Sequence, residues 1–219
     1  MSSKIQTLTS RLNDLYGIRA WSRWRDPVGE LIRTILSQNT TDKNSLNAFA
    51  KLTEKYPVWE EILQADEEEI AETIRSGGLA NIKAAKIKKN LQEIKKRQGK
   101  IDLEFLGGYS LNEAKEYLVS LDGVGPKTAA CVLMFSFNIP YMPVDTHVHR
   151  VSNRIGIIDT KTREKSQEEL NLIIPEKDRY DFHLNIIEHG RQICKAASPQ
   201  CSECFLTDIC DFYNQKQTK

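Results

Sequence analysis

The chain has 219 residues, enough for one compact globular unit or two small domains sharing an interface. Its 31 basic residues nearly balance its 30 acidic ones, which excludes a globally basic nucleic-acid binder and confines any such contact to a local patch. No apolar run approaches membrane-spanning length, and the opening MSSKIQTLTSRLNDLYGIRA lacks the apolar core of a secretory signal, so a soluble, intracellular protein with no membrane partner is expected.

In chain order, Ile5, Leu8, Leu12 and Leu15 fall at helical spacing. Asp26 before Pro27 is a cap followed by a first-turn residue, and it opens a helix with Val28, Leu31, Ile32, Ile35 and Leu36 on its buried stripe. A helix follows at about 42–54. Asp66 with Glu69, and Ser110 with Glu113, read as capping boxes. Further helices are predicted at about 80–98, 110–121, 126–137, 146–155, 164–173 and 178–190. With no alternating strand longer than a few residues, no repeat and no low-complexity tract, the fold class is all-α. The run Lys83, Lys86, Lys88, Lys89, Lys95, Lys96, Arg97 and Lys100 reads as a solvated face opposite Ile87, Leu91 and Ile94, or as a source of a few phosphate contacts.

The segment Leu121-Asp122-Gly123-Val124-Gly125-Pro126-Lys127 sits between two predicted helices. Its glycines permit a tight turn and the close approach of another backbone, and Pro126 suits the first turn of the next helix. The N–H groups of Gly123, Val124 and Gly125, with the positive helix end, then form an anion site suited to a phosphate. Lys127 reads equally well as an added phosphate contact or as a nucleophile, the latter if burial lowers its pKa and a carboxylate stands near. The carboxylate on offer is Asp145, in Met142-Pro143-Val144-Asp145-Thr146-His147-Val148-His149-Arg150, where it is also placed to cap the next helix. His147 and His149 lie just inside that helix and could help shape a cleft; His183 and His189 read as packing or capping groups.

Four of the five cysteines, Cys194, Cys201, Cys204 and Cys210, cluster near the C-terminus with intervals of six, two and five residues. In a reducing compartment such a quartet reads as metal ligation rather than disulfides. The chemistry suits tetrahedral zinc or a [4Fe–4S] cluster, and the presence of one tight pair instead of two tilts the reading toward iron. Cys131 reads as a core residue.

The hairpin LDGVGPKTA followed by PVDTHVHRV closely resembles the endonuclease III branch of the helix-hairpin-helix–GPD DNA glycosylases. Ile35–Asp42 resembles that family's early helix–loop segment, Gly78–Ala84 its DNA-probing loop, and His189-Gly190-Arg191 leads into the cysteines as in the family, so that the resemblance spans residues 5–213. It implies two helical domains flanking a DNA-binding groove. One is a six-helix barrel at 25–140 with the helix-hairpin-helix at about 115–135; the other is discontinuous, 1–24 with 141–219, and carries a [4Fe–4S] loop at 194–210.

The implied activity is that of a base-excision repair glycosylase with β-elimination lyase activity, acting as a monomer on damaged pyrimidines and abasic sites in double-stranded DNA. The implied location is the cytoplasm, with the nucleoid, in a prokaryote, or otherwise intracellular. Lys127 would be the nucleophile, Asp145 its acidic partner, and Arg191 and Lys195 contacts to the DNA backbone. Gln38 or Asn39, and Asn81 or Ile82, would fill the gap left by a flipped nucleotide. The family's glutamine usually falls one position later than Gln38, where this chain has Asn39, which points to a different base preference from the bacterial prototype. The competing readings are a glycosylase for mismatched or otherwise modified bases, an enzyme acting on pre-existing abasic sites alone, and a non-catalytic DNA-binding protein.

Overall fold

The computed structural model describes residues 3–217, and among them every regular element is a helix. The chain divides into two compact units. One is continuous, Arg23–Ile139, and the other joins the N-terminal stretch through Ser22 to the chain from Pro140 onward. No helix among the described residues is long and apolar enough to cross a membrane.

Helix α1, Ser3–Tyr16, buries Ile5, Leu8, Thr9 and Leu12. Leu15, expected on the same stripe, is 57% exposed. It lies in the last turn, where Tyr16 turns inward instead and its hydroxyl meets His189 Nδ1 at 3.2 Å.

The continuous unit opens at Asp26, whose carboxylate accepts from Gly29 N at 2.9 Å and caps α2, Pro27–Ser37. Thr41 caps α3, Asp42–Lys55, and two short helices follow, α4 at Trp59–Gln64 and α5 at Glu67–Thr73. The sequence gives no sign of α4, because six residues are too few to show a period. Asp66 precedes α5 but makes no side-chain cap bond, and Glu69 pairs with Lys55 Nζ at 2.7 Å rather than closing a capping box. Three glutamates in the first turn of α5 already complement its positive end, so the box is not needed there. Ser110 and Glu113 do form both halves of a box, at 2.9 and 3.4 Å, at the start of α7, Leu111–Val119. Helix α8, Pro126–Phe137, is buried on every side from Thr128 to Ser136, the mark of a central helix, and α2 and α7 pack against it.

Helix α6, Ala80–Gln98, corrects the reading of the lysine run as one solvated face. Lys95, Lys96 and Lys100 are exposed, but Lys83 is 2% exposed, and its ammonium donates to Leu36 O at 2.7 Å and Gly77 O at 2.8 Å. Lys88 likewise donates to Ala65 O at 2.6 Å. The first turns of α6 lie against segment ends whose carbonyls lack helical partners, and buried carbonyls require donors.

In the discontinuous unit, α9 is Thr146–Ile155, α10 Arg163–Ile173, α11 Arg179–Gln192 and α12 Asp211–Gln217. Helix α11 packs against α1 and α9, and α12 against α9. The segment between α11 and α12 is mostly irregular, and ion pairs from α1 hold it and the start of α12. The Arg11 fork grips Asp208 at 2.6 and 2.9 Å, and Lys4 meets Asp211 at 2.6 Å.

Candidate active site and metal centre

The hairpin Leu121–Pro126 joins α7 to α8. Gly123 has φ +68°, a backbone conformation that demands glycine, and the end of the Lys86 side chain lies over it, 2.8 Å from where a Cβ would stand. Its neighbour Asp122 is held reciprocally by Asn90 of α6, which donates to Asp122 O at 3.0 Å and accepts from Asp122 N at 2.8 Å. Gln38 Nε2 donates to Gly123 O at 3.2 Å, so Gln38 braces the hairpin. Gly125 is the N-cap of α8 and no side chain caps it, which leaves the first-turn N–H groups to an outside acceptor.

Lys127, in the first turn of α8, is half-buried. One turn on, burial pushes the Cys131 thiol up, against the opposing pull of the Lys127 ammonium, which hydrogen-bonds to it. Cys131 is thus buried, as expected of a core residue, and it also touches the candidate nucleophile.

Asp145 belongs to the other unit and caps α9. Both His147 N and Val148 N donate to its Oδ1, each at 2.8 Å, and this cap does not use the lone pairs of the second oxygen. The strand of backbone leading to Asp145 is pinned residue by residue. Met142 N donates to Asn171 Oδ1 at 2.8 Å, and Met142 O accepts from Gln167 Nε2 at 3.0 Å. His183 Nδ1 bonds Pro143 O at 2.9 Å, and Arg179 donates to Pro140 O at 2.6 Å. His149 is turned into α10, where its Nδ1 meets Ser166 Oγ at 2.6 Å, while His147 Nδ1 meets Arg150 at 3.2 Å.

The four clustered cysteines line one pocket, with Ile155, Ile193, Leu206 and Phe212 among its apolar walls. Burial pushes the Cys204 and Cys210 thiols up, and the neighbouring cysteines push them further in the same direction. Four soft sulfur donors crowded around one apolar-walled space suit a thiolate-ligated metal group. Among the described residues, no group of three or more His, Cys, Asp or Glu side chains is arranged to hold a single metal ion.

The frame around this pocket was not visible in the sequence. Arg150 donates to Cys194 O and Gly190 O, both at 2.9 Å. Arg154 donates to Lys195 O at 2.7 Å, Ala196 O at 2.8 Å and Cys194 Sγ at 3.5 Å. Their one signal is a basic pair four apart on a helix. His189, pushed down to about 4 by burial, stays neutral and meets Cys204 Sγ at 3.6 Å. Arg191 and Lys195 are exposed beside the cysteines.

Of the remaining expected positions, Gln38 is the half-buried C-cap of α2, while Asn39, Asn81 and Ile82 are exposed. Leu79, which sequence reasoning passed over, is 51% exposed at φ +51° and stands beside Asn81 and Ile82.

Residues 32–176 match the model of the HhH-GPD superfamily of base excision DNA repair proteins. The endonuclease III of Thermotoga maritima is 40% identical over 191 residues, which cover 87% of this chain and 85% of that one. A solved non-covalent endonuclease III–DNA complex superposes with a TM-score of 0.83 at 30% identity and full coverage of both chains. A trapped endonuclease III–DNA covalent intermediate, the estranged-adenine complex, gives 0.82 at 30% identity, covering 99% of this chain and 100% of that one.

Proposed function

This chain belongs to the HhH-GPD superfamily of base excision DNA repair proteins, and from that premise we propose that Lys127 and Asp145 carry out its chemistry on double-stranded DNA. The chain is a base-excision repair DNA glycosylase with associated abasic-site lyase activity. The observation that carries the residue assignment is Lys127 itself. It is a half-buried lysine in the first turn of a helix opened by a Gly-Val-Gly-Pro hairpin, in a chain similar to one trapped covalently on DNA.

The hairpin N–H groups and the positive end of α8 receive a DNA phosphate and set the register of the duplex without reading sequence. A base inside the stack is out of reach, so the damaged nucleotide is extruded, and residues from Gln38, Asn39, Asn81 and Ile82 occupy the gap. The neutral amine of Lys127 attacks the anomeric carbon, the base leaves with its bonding electrons, and the amine becomes an iminium once the sugar ring opens. Removal of the C2 proton then expels the 3′ phosphate by β-elimination. Asp145, fixed by its cap bonds, stabilises positive charge at the sugar and assists proton transfer. The preferred lesions are damaged pyrimidines and abasic sites, with Asn39 in the family's glutamine position as the first place to look for a shifted preference.

Cys194, Cys201, Cys204 and Cys210 hold a [4Fe–4S] cluster, and the donor set fits it. Its role is structural: it pins the loop that presents Arg191 and Lys195 to the DNA backbone. The protein acts as an intracellular monomer. A panel of duplexes, each with one lesion, assayed separately for base release and strand nicking tests the assignment. Release and nicking on oxidised pyrimidines are expected. Release without nicking on any substrate would sink the lyase assignment, and release confined to mismatches would move the chain to the mismatch-specific reading.

A further inference from the structure

Lys83 is a buried cation bonded to main-chain carbonyls and not to a carboxylate. Burial, with the charge of Lys86 beside it, pushes its pKa down, so holding an ammonium there works against stability. Its two acceptors stand at the stems of two different loops. Leu36 O closes α2, just before Gln38 and Asn39; Gly77 O ends the turn just before Leu79, Asn81 and Ile82. The stems are close enough that a Cβ on Gly77 would lie 3.2 Å from Ala48 Cβ and 3.9 Å from Leu36 O. Each loop holds a non-glycine residue in the left-handed region, Asn39 at φ +53° and Leu79 at φ +51°; asparagine adopts it readily, but a leucine does so only where its surroundings impose it. The same side of α6 continues to the hairpin: Lys86 abuts Gly123, and Asn90 holds both backbone groups of Asp122.

We propose that Lys83 is a positioning residue for base extrusion, its ammonium joining the two loop stems so that Asn39 and Ile82 enter the duplex at one fixed spacing. Charge-assisted bonds to two carbonyls are short and directional, and a single side chain that makes both couples the loops more tightly than packing alone. The proposal rests on the reading above that these loops face DNA.

The test uses the full chain carrying Lys83→Met, with Ile82→Ala and Asn39→Ala as comparators. Hydrogen exchange is read on peptides covering 36–41 and 76–82, alongside single-turnover base release, nicking of a preformed abasic duplex and affinity for undamaged duplex. Lys83→Met should speed exchange in both peptides and slow base release about tenfold, because misplacement of a contact group is costly. Affinity for undamaged duplex should change less than about twofold, since phosphate contacts remain. Nicking of the abasic duplex should fall less than base release, as no base has to be extruded. Should Lys83→Met fail to fold, Lys83→Arg, which keeps the charge but not the geometry, is expected to show the same preferential loosening of both peptides.

Loosening spread evenly over the unit, or unchanged exchange in the two peptides, overturns the proposal. If Ile82→Ala and Asn39→Ala slow base release and Lys83→Met does not, the loop reading stands and the role of Lys83 falls. If only Lys83→Met slows it, the loops are not the tool and both readings fall.

Discussion

Lys127 and Asp145 are built into their units in opposite ways. Asp145 holds two backbone N–H groups on one oxygen, and the residues before it are fixed through their backbone groups by Asn171, Gln167, His183 and Arg179. Lys127 projects from a helix whose first turn has no side-chain cap, and it hydrogen-bonds to the thiol of Cys131. The difference fits the roles proposed above for each group. A carboxylate that stabilises charge loses its value if it moves, since preorganisation is the source of the effect. An amine that shuttles between ammonium, amine and iminium needs room, and a firm partner for any one form would hinder the others.

Replacing the loose member gives the largest expected effect. Lys127→Ala should abolish both nicking and the adduct trapped by borohydride on an abasic duplex, while the protein still binds that duplex and its melting temperature barely moves. A Lys127→Ala protein that still forms the trapped adduct assigns the chemistry to another amine, and the contrast collapses. Next comes the cysteine centre. Purified protein should be yellow-brown with about four iron atoms per chain. Cys201→Ser should lose iron and solubility together, because ligand loss removes a folding constraint. Stoichiometric zinc without iron in anaerobically isolated protein would sink the cluster assignment.

The rigid member is tested by Asp145→Asn, which keeps a capping side chain. Base release should slow on the order of a hundredfold or more, with stability lowered by about 1 kcal/mol or less. An equal loss of stability and rate would make Asp145 a cap and nothing else. The smallest effect is expected from charge reversal at Arg191 or Lys195, which should weaken DNA binding severalfold across all sequences and flatten the salt dependence. A change in base preference without a change in affinity would remove these residues from the backbone contacts.

The all-α class, the hairpin and the cap at Asp145 were legible because each depends on residues adjacent in the chain. A glycine turn, a proline in the first turn and a capping carboxylate act on backbone a few positions away, so spacing carries the information. Lys83, Arg150, Arg154 and Arg179 were not legible as framework, and for a shared reason. Most of their partners are main-chain carbonyls. Every residue has a carbonyl, so nothing in a partner's identity marks it as a partner. Glu69 erred the other way: its spacing from Asp66 fits a capping box, but the ion pair with Lys55 competes for the same carboxylate.

The division of the chain also bears on how the protein is made. The Arg23–Ile139 unit is one uninterrupted stretch, so its whole sequence is present once Ile139 has emerged from the ribosome. Helix α1 emerges before that unit but packs against α11, more than 160 residues later in the chain. During synthesis Ile5, Leu8 and Leu12 therefore wait, without their partners, for the last third of the chain. Contacts between such distant parts of the chain form late, which makes docking of the first helix a late step and leaves the cysteine segment, which α1 grips through Arg11, to be clasped with it.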